Sequence, residues 1–228
     1  MPHHPPEKLA YFRGMKNYYI LEPAKFKLDG GAMFGIIPKP LWNKVAPADQ
    51  DNRIDLALRL MLIKTDKKLI LVDTGIGDYH GAKFDQRFAV EGAPSPLEKS
   101  LHLLGFKSSD VTDLILSHLH FDHVGGLCKK EEEKLLPVFP RATIHLHQNH
   151  FEYAKHPTPR DAGSFHGQYF FPILDEYEKN KQIHWLKEEE GIILKDSDVE
   201  LKFRVSHGHT PYLLHPFDEH FIYLADLI

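Results

Sequence analysis

Between positions 118 and 123 the chain reads His118-Leu119-His120-Phe121-Asp122-His123, entered directly from the apolar stretch Val111 to Leu116. Three histidines and an aspartate within six residues restrict the possible folds more than any other feature. In an extended segment residues two apart point the same way, so His118 and His120 can converge on one ion. Imidazole nitrogens suit zinc and other borderline ions. Asp122 and His123 lie just beyond, where a turn could aim them at a second site. Gly125-Gly126 then lets the backbone turn sharply with no Cβ in the way. Solvated loop histidines do not cluster like this after a buried strand. His145 and His147, by contrast, read as a pair on the outer face of a strand.

The flanking segments read as the frame of such a site. Ile54 to Lys64 is largely apolar and compatible with one buried strand. Thr65-Asp66-Lys67-Lys68 is a polar turn, and Leu69 to Val72 completes a hairpin ending at Asp73-Thr74-Gly75. Pro94 and Pro96 precede Leu97, Leu101 and Leu104, spaced along one helical face, with Gly105 where a helix stops. Alternation at Ala142, Ile144 and Leu146 predicts a strand, followed by helices over about Gln148 to Lys155 and Tyr169 to Lys179. Val199, Leu201, Phe203 and Val205 alternate in a half-buried strand that stops at Ser206-His207-Gly208-His209. His220 to Ala225 forms a last strand before Asp226. Asp73, His118, His209 and Asp226 thus each sit at or beyond the end of an apolar strand, where a packed sheet holds them rigid and close.

At 228 residues the chain is long enough for one sizeable domain and too short for two comfortable ones. Residues 1–228 therefore read as a single domain, with the polar, proline-rich residues 1–20 as an N-terminal arm. A net charge of −4 offers no broad basic field to nucleic acid. The single cysteine, Cys128, excludes an internal disulfide and reads as a small packing residue. With no secretory signal and no apolar run long enough to span a membrane, the expected location is the cytoplasm.

His-x-His-x-Asp-His is the signature of the metallo-β-lactamase superfamily, and the run from Ser117 to Gly126 resembles its lactonase-type members. The other family motifs appear in order: Leu71-Val72-Asp73-Thr74-Gly75, Gly208-His209-Thr210-Pro211 and Tyr223-Leu224-Ala225-Asp226. The similarity runs from about Ile54 to the last residue. It implies an α/β (α+β) fold, the four-layer αββα sandwich, with two mixed sheets face to face, helices outside and metals at one edge. It also implies that His118, His120 and His209 hold a first metal, Asp122 and His123 a second, and that Asp226 bridges the two. Asp73 would orient the ligand loop from behind. His207 rivals His209, and the Gly-His-Thr-Pro context favours His209. Two departures stand out. The family has one more histidine, a ligand of the second metal, on a later strand, followed by a final helix and strand; the chain is expected to be C-terminally truncated relative to it. Tyr212 stands where the motif more often continues with glycine, a change expected to be tolerated.

The function implied is that of a metal-dependent hydrolase, with two zinc ions expected. It would act on a small ester, lactone or related acyl substrate through a metal-bound hydroxide, with Asp122 or Asp226 relaying a proton. Iron or manganese are the alternative metals. Competing readings are a mononuclear iron dioxygenase of sulfur compounds, a thioester hydrolase and a truncated, non-catalytic binding module. The expected partner is a small molecule, not nucleic acid or membrane; oligomeric state and substrate-binding residues are left open. The stretch from His156 to Phe171 reads as a long loop that could wall an apolar pocket with Phe165 and Tyr169. Phe170 and Phe171 read as core, and Arg160 as a solvated charge.

Overall fold

The computed structural model describes residues 17–91, 96–197 and 199–227. Residues 1–16 of the expected arm, and Pro94 before the first long helix, lie outside the described residues. The chain opens with β1 (Tyr18–Leu21) and β2 (Lys25–Asp29), the short helices α1 (Gly30–Phe34) and α2 (Lys39–Trp42), and β3 (Arg53–Ala57), β4 (Leu60–Lys64) and β5 (Leu69–Val72). Helices α3 (Ala82–Phe88) and α4 (Pro96–Leu103) lead to β6 (Asp113–Ile115), the one-turn helix α5 (Phe121–Val124) and the hairpin of β7 (Cys128–Glu131) and β8 (Lys134–Pro137). Then follow β9 (Thr143–His147), α6 (Gln148–Lys155), α7 (Gly167–Lys179) and β10 (Ile183–Leu186). The described chain closes with β11 (Glu190–Asp196), β12 (Val199–Ser206) and β13 (Leu213–Phe217).

Six strands form the main sheet in the order β1-β4-β5-β6-β9-β10. β1, β4 and β5 pair antiparallel, whereas β5, β6, β9 and β10 run parallel. Parallel neighbours cannot be joined by a tight turn, so helices α3, α4, α6 and α7 occur in the crossovers. A parallel arrangement also brings the C-terminal ends of its strands out on one edge, where ligand sites of open α/β sheets collect. A second, antiparallel sheet has the order β11-β12-β13, and β2 and β3 form a separate ladder.

Side-chain alternation shows how the two sheets stack. Leu60 and Leu62 of β4, and Leu69 and Leu71 of β5, join a core with Leu97 and Leu101 of α4, Phe151 of α6 and Ile173 of α7. Their neighbours Met61, Ile63, Ile70 and Val72 face the other way, against Leu201, Phe203 and Leu214 of the second sheet. The main sheet is therefore buried on both faces, by helices on one side and a sheet on the other. Two-sided burial explains why β4 and β5 read as unbroken apolar runs. This is the mixed α/β sandwich that the motifs implied, except that only the main sheet is mixed: the second pairs wholly antiparallel where two mixed sheets were expected.

Several local expectations are corrected. The apolar run from Ile54 to Lys64 is two strands: β3 pairs with β2, and after Leu58 and Arg59 the chain enters the main sheet as β4. A uniform apolar run carries no mark of the point at which its partner changes. Residues 18–20 of the expected arm lie in β1, an edge strand paired with β4. His220 to Ala225 makes only an isolated bridge, Ile222 to Phe217; the strand that pairs with β12 is Leu213–Phe217.

His145 and His147 are not on an outer face. β9 lies between β6 and β10, and both rings are buried. His145 sits 2.9 Å from Asp113 through Nε2 and 2.9 Å from His184 through Nδ1, while Lys68 donates to the other Asp113 oxygen at 2.7 Å. His147 donates to the Glu188 carbonyl at 3.2 Å and stacks on Tyr212 at 4.9 Å.

Candidate metal centre

The loops that leave the strands carry the candidate ligands. His118 follows β6, His120 caps the start of α5, and Asp122 and His123 occupy its single turn. His209 lies between β12 and β13, and Asp226 lies beyond β13. The fold brings these groups together. His120 Nδ1 is 2.9 Å from His209 Nε2, and the ring centres of His118 and His123 are 4.0 Å apart. Asp226 reaches both sides, with Oδ1 3.3 Å from His123 Nε2 and Oδ2 3.4 Å from His209 Nε2. Among the described residues two sets of converging ligand atoms result, His118, His120 and His209 in one and His118, His123 and Asp226 in the other, each within 4.8 Å. Asp122 is in neither set; its Oδ2 is 3.7 Å from His123 Nε2. His207, the rival to His209, is turned away and its Nε2 meets Glu189 at 3.2 Å.

The donor set fits a cation of the zinc, iron or manganese type. The sharpest indication is His118 Nε2, which is buried and has no hydrogen-bond partner. Its other nitrogen, Nδ1, is 3.1 Å from Ser117 Oγ, and that hydroxyl itself donates to Asp73 at 2.6 Å. Ser117 is therefore an acceptor for the His118 Nδ1 proton, which leaves the Nε2 lone pair aimed into the cluster. Leaving such a buried polar atom unmade is costly, and a metal removes the cost.

Asp73 is the hub behind these ligands. It accepts from the Ser117 N–H at 2.7 Å, from His123 Nδ1 at 2.8 Å and from the Tyr223 hydroxyl at 3.0 Å. It is wholly buried, with φ of 60°, a left-handed conformation that aspartate tolerates better than most residues. The ligand loop presses directly on the segment after Asp73. The Thr74 N–H and hydroxyl both donate to the His123 carbonyl, at 2.8 and 2.9 Å. A Cβ on Gly125 would lie 1.9 Å from the Ile76 carbonyl oxygen, and one on Gly126 2.3 Å from that of Thr74. Gly125 has an ordinary helical backbone, so close approach demands glycine there, not the sharp turn expected from sequence. Tyr212, in the glycine position of its motif, has φ of 59°. That left-handed backbone explains the usual glycine.

Charge is distributed unevenly across the cluster. Burial, reinforced by the neighbouring imidazoles, holds His118 well below the ordinary histidine value and His120 down to about 2. Burial pushes Asp122 up to about 6, against the pull of His123. Burial would also lower His123, yet the carboxylates of Asp122, Asp73 and Asp226 hold it well above its ordinary value. For Asp226 burial opposes ionisation, but His123, His209 and His120 outweigh it and bring the carboxyl down to about 2. Neutral His118 and His120 beside an ionised Asp226 are in the state in which such groups bind metal, whereas the raised His123 would have to give up its proton to do so.

The long loop contributes more than sequence suggested. Phe165 packs on the His120 ring at 4.6 Å and Tyr169 on Tyr79 at 4.6 Å; Phe170 is core, whereas Phe171, expected there too, is only half-buried at its edge. Asp161 is buried, accepts from Tyr153 at 2.7 Å and Thr210 at 3.1 Å, and brings Oδ2 to 3.9 Å from His120 Nε2. Arg160 is not merely solvated: it bonds the carbonyls of Gly208 and His209. Sequence reasoning missed Asp161 because nothing local distinguishes it; Ser117, next to the first ligand, was within reach.

Comparison with known proteins bears on the family and the fold. A model of the metallo-beta-lactamase superfamily matches residues 60–228. Among curated proteins, a "Probable metallo-hydrolase" of Mycobacterium bovis is 32% identical over 100 residues, 41% of this chain and 29% of that protein. An N-acyl homoserine lactonase of Bacillus cereus is 36% identical over 85 residues, 33% of this chain and 34% of its own. The matched region thus spans about a third of the curated relatives. A solved probable metal-dependent hydrolase from Staphylococcus aureus superposes with a TM-score of 0.74 at 24% identity, covering 89% of this chain and 69% of that one. The dizinc quorum-quenching lactonase AidC, solved with a product, superposes with a TM-score of 0.66 at 26% identity, covering 94% and 74%.

Proposed function

The chain belongs to the metallo-beta-lactamase superfamily, and from that premise we propose that it is a dizinc hydrolase of a small ester, lactone or related acyl compound. The observation that carries the reading is the buried, unpartnered His118 Nε2 at the point where the two ligand sets meet. His118, His120 and His209 would hold one ion, Asp122 and His123 the other, with Asp226 between them. When bound, such a pair lowers the pKa of a shared water and polarises a carbonyl oxygen.

The chain's own residues do the rest. Asp73, through Ser117 and His123, keeps the imidazole lone pairs pointed inward. Phe165 shields one flank of the cluster and offers an apolar surface to an acyl group. Asp122 and Asp226 supply carboxylate oxygens that can take a proton and return it to a leaving group. The lactone preference draws on the Bacillus cereus relative and on AidC, each named for that chemistry.

The test is element-resolved metal content of the purified chain together with turnover of an N-acyl homoserine lactone and of a glutathione thioester. Two zinc ions per chain and faster lactone turnover would support the reading. Thioester preference would move the substrate class, and one tightly held iron would replace hydrolysis by the dioxygenase reading. No metal after zinc is supplied would overturn it.

A further inference from the structure

His150 lies in the first turn of α6, wholly buried, with its ring centre 6.3 Å from that of His118. It nevertheless belongs to neither set of converging ligand atoms. Both of its nitrogens are already engaged with backbone. The Leu119 N–H donates to Nε2 at 2.9 Å, and Nδ1 donates to the Pro211 carbonyl at 2.7 Å. These partners fix the tautomer, because Nε2 faces a donor and must be the lone pair, while Nδ1 faces an acceptor and must carry the proton.

The two backbone groups are informative choices. Leu119 stands between His118 and His120, and Pro211 is two residues beyond His209. One neutral imidazole therefore ties the loop that carries two candidate ligands to the loop that carries the third. It stands on a helix anchored in the core by Phe151 and Ala154, so its own position is set by packing. We propose that His150 is a positioning residue of the metal centre, a strut that fixes the spacing between the 118–123 and 207–212 loops so that His118, His120 and His209 close on one ion.

This inference rests on the metal-centre reading above. It requires that the ring's hydrogen-bonding, beyond its bulk, governs the fit of the site. Loss of groups that orient ligands typically lowers metal affinity about 10–100-fold.

The experiment compares the whole chain with its His150→Phe and His150→Gln variants. Zinc affinity is read by competition with a chromophoric chelator, the cobalt-substituted absorption spectrum reports ligand geometry, and circular dichroism reports the fold. Phenylalanine keeps the bulk and loses both hydrogen bonds; glutamine keeps an acceptor and a donor. The expected result is folded variants in which phenylalanine lowers zinc affinity about 10–100-fold and alters the cobalt spectrum, with glutamine recovering most of both. Wild-type affinity and spectrum in His150→Phe would overturn the proposal, as would equal damage from both substitutions. If His150→Phe does not fold, His150→Asn, too short to reach both groups, decides in its place: weakened binding supports the strut and unchanged binding overturns it. A wild-type chain that binds no metal would instead sink the metal centre itself.

Discussion

Arg160 Nη2 donates to the carbonyl oxygen of His209 at 2.6 Å, while its Nη1 donates to that of Gly208 at 3.2 Å. An exposed side chain of the long loop thereby grips the backbone of a candidate ligand. Because the guanidinium remains in water, these bonds contribute modestly, on the order of 1 kcal/mol. Arg160→Ala should leave the fold intact and lower zinc affinity several-fold. Chelator competition on the folded variant checks this, and unchanged affinity would show that the grip is incidental.

Asp73 accepts from three side chains and one backbone N–H, all in a buried setting. Asp73→Asn keeps the shape but turns an N–H₂ group towards one or more of those donors. A loss of roughly 10–100-fold in metal affinity is expected, together with a lowered unfolding temperature. Metal titration followed by a thermal melt measures both. Wild-type affinity would remove Asp73 from the support of the site.

Gly125→Ala tests the close approach of the two loops. The added methyl would sit 1.9 Å from the Ile76 carbonyl oxygen, which is backbone and cannot swing aside. The expected cost is about 3 kcal/mol or more, in the range of strong overpacking, with metal stoichiometry falling as the ligand loop is pushed out. Denaturant unfolding reads the first and elemental analysis the second. A variant as stable as the parent would contradict the packing described.

Asp113 gives a pH prediction at the opposite end of the strands from the ligand loops. Burial would raise its carboxyl, but hydrogen bonds from His145, Lys68 and Thr112 outweigh burial and bring it down to about 2, below the ordinary 3.8. The fold therefore favours the ionised form. Its contribution, about 2 kcal/mol from a shift of roughly two pK units, is fully present above about pH 4 and is lost as pH falls through about 2. The stability difference between the parent and Asp113→Asn, measured by denaturant unfolding from pH 2 to 6, should shrink at the acid end. A difference independent of pH would contradict this.

The candidate-ligand motifs could be read because each is local: a strand end, then residue types that can ligate a metal within a few positions. Burial on both faces was also written into the runs at β4 and β5. What escaped reading was set by partners distant in sequence. The break at Leu58 and Arg59 depends on which strand lies alongside, and the burial of His145 and His147 depends on β10, which pairs with β9 from 39 residues further on. The glycines at 125 and 126 were noticed for the wrong reason, since the backbone that crowds them belongs to Thr74 and Ile76. Tyr212 was visible as a departure, but its left-handed backbone was not.

The contacts that close the centre reach across the chain: His123 meets Asp73 over 50 residues, His120 meets His209 over 89, and Tyr223 meets Asp73 over 150. Four of the candidate ligands lie within residues 118–123, but His209 and Asp226 join them only in the folded chain, so an unfolded chain offers an ion an incomplete set. Occupancy and folding then share one equilibrium. Free metal at about a hundred times its dissociation constant would add at most about 2.7 kcal/mol to the folded state, less whatever affinity the 118–123 run keeps when unfolded, and a chelator would remove that increment.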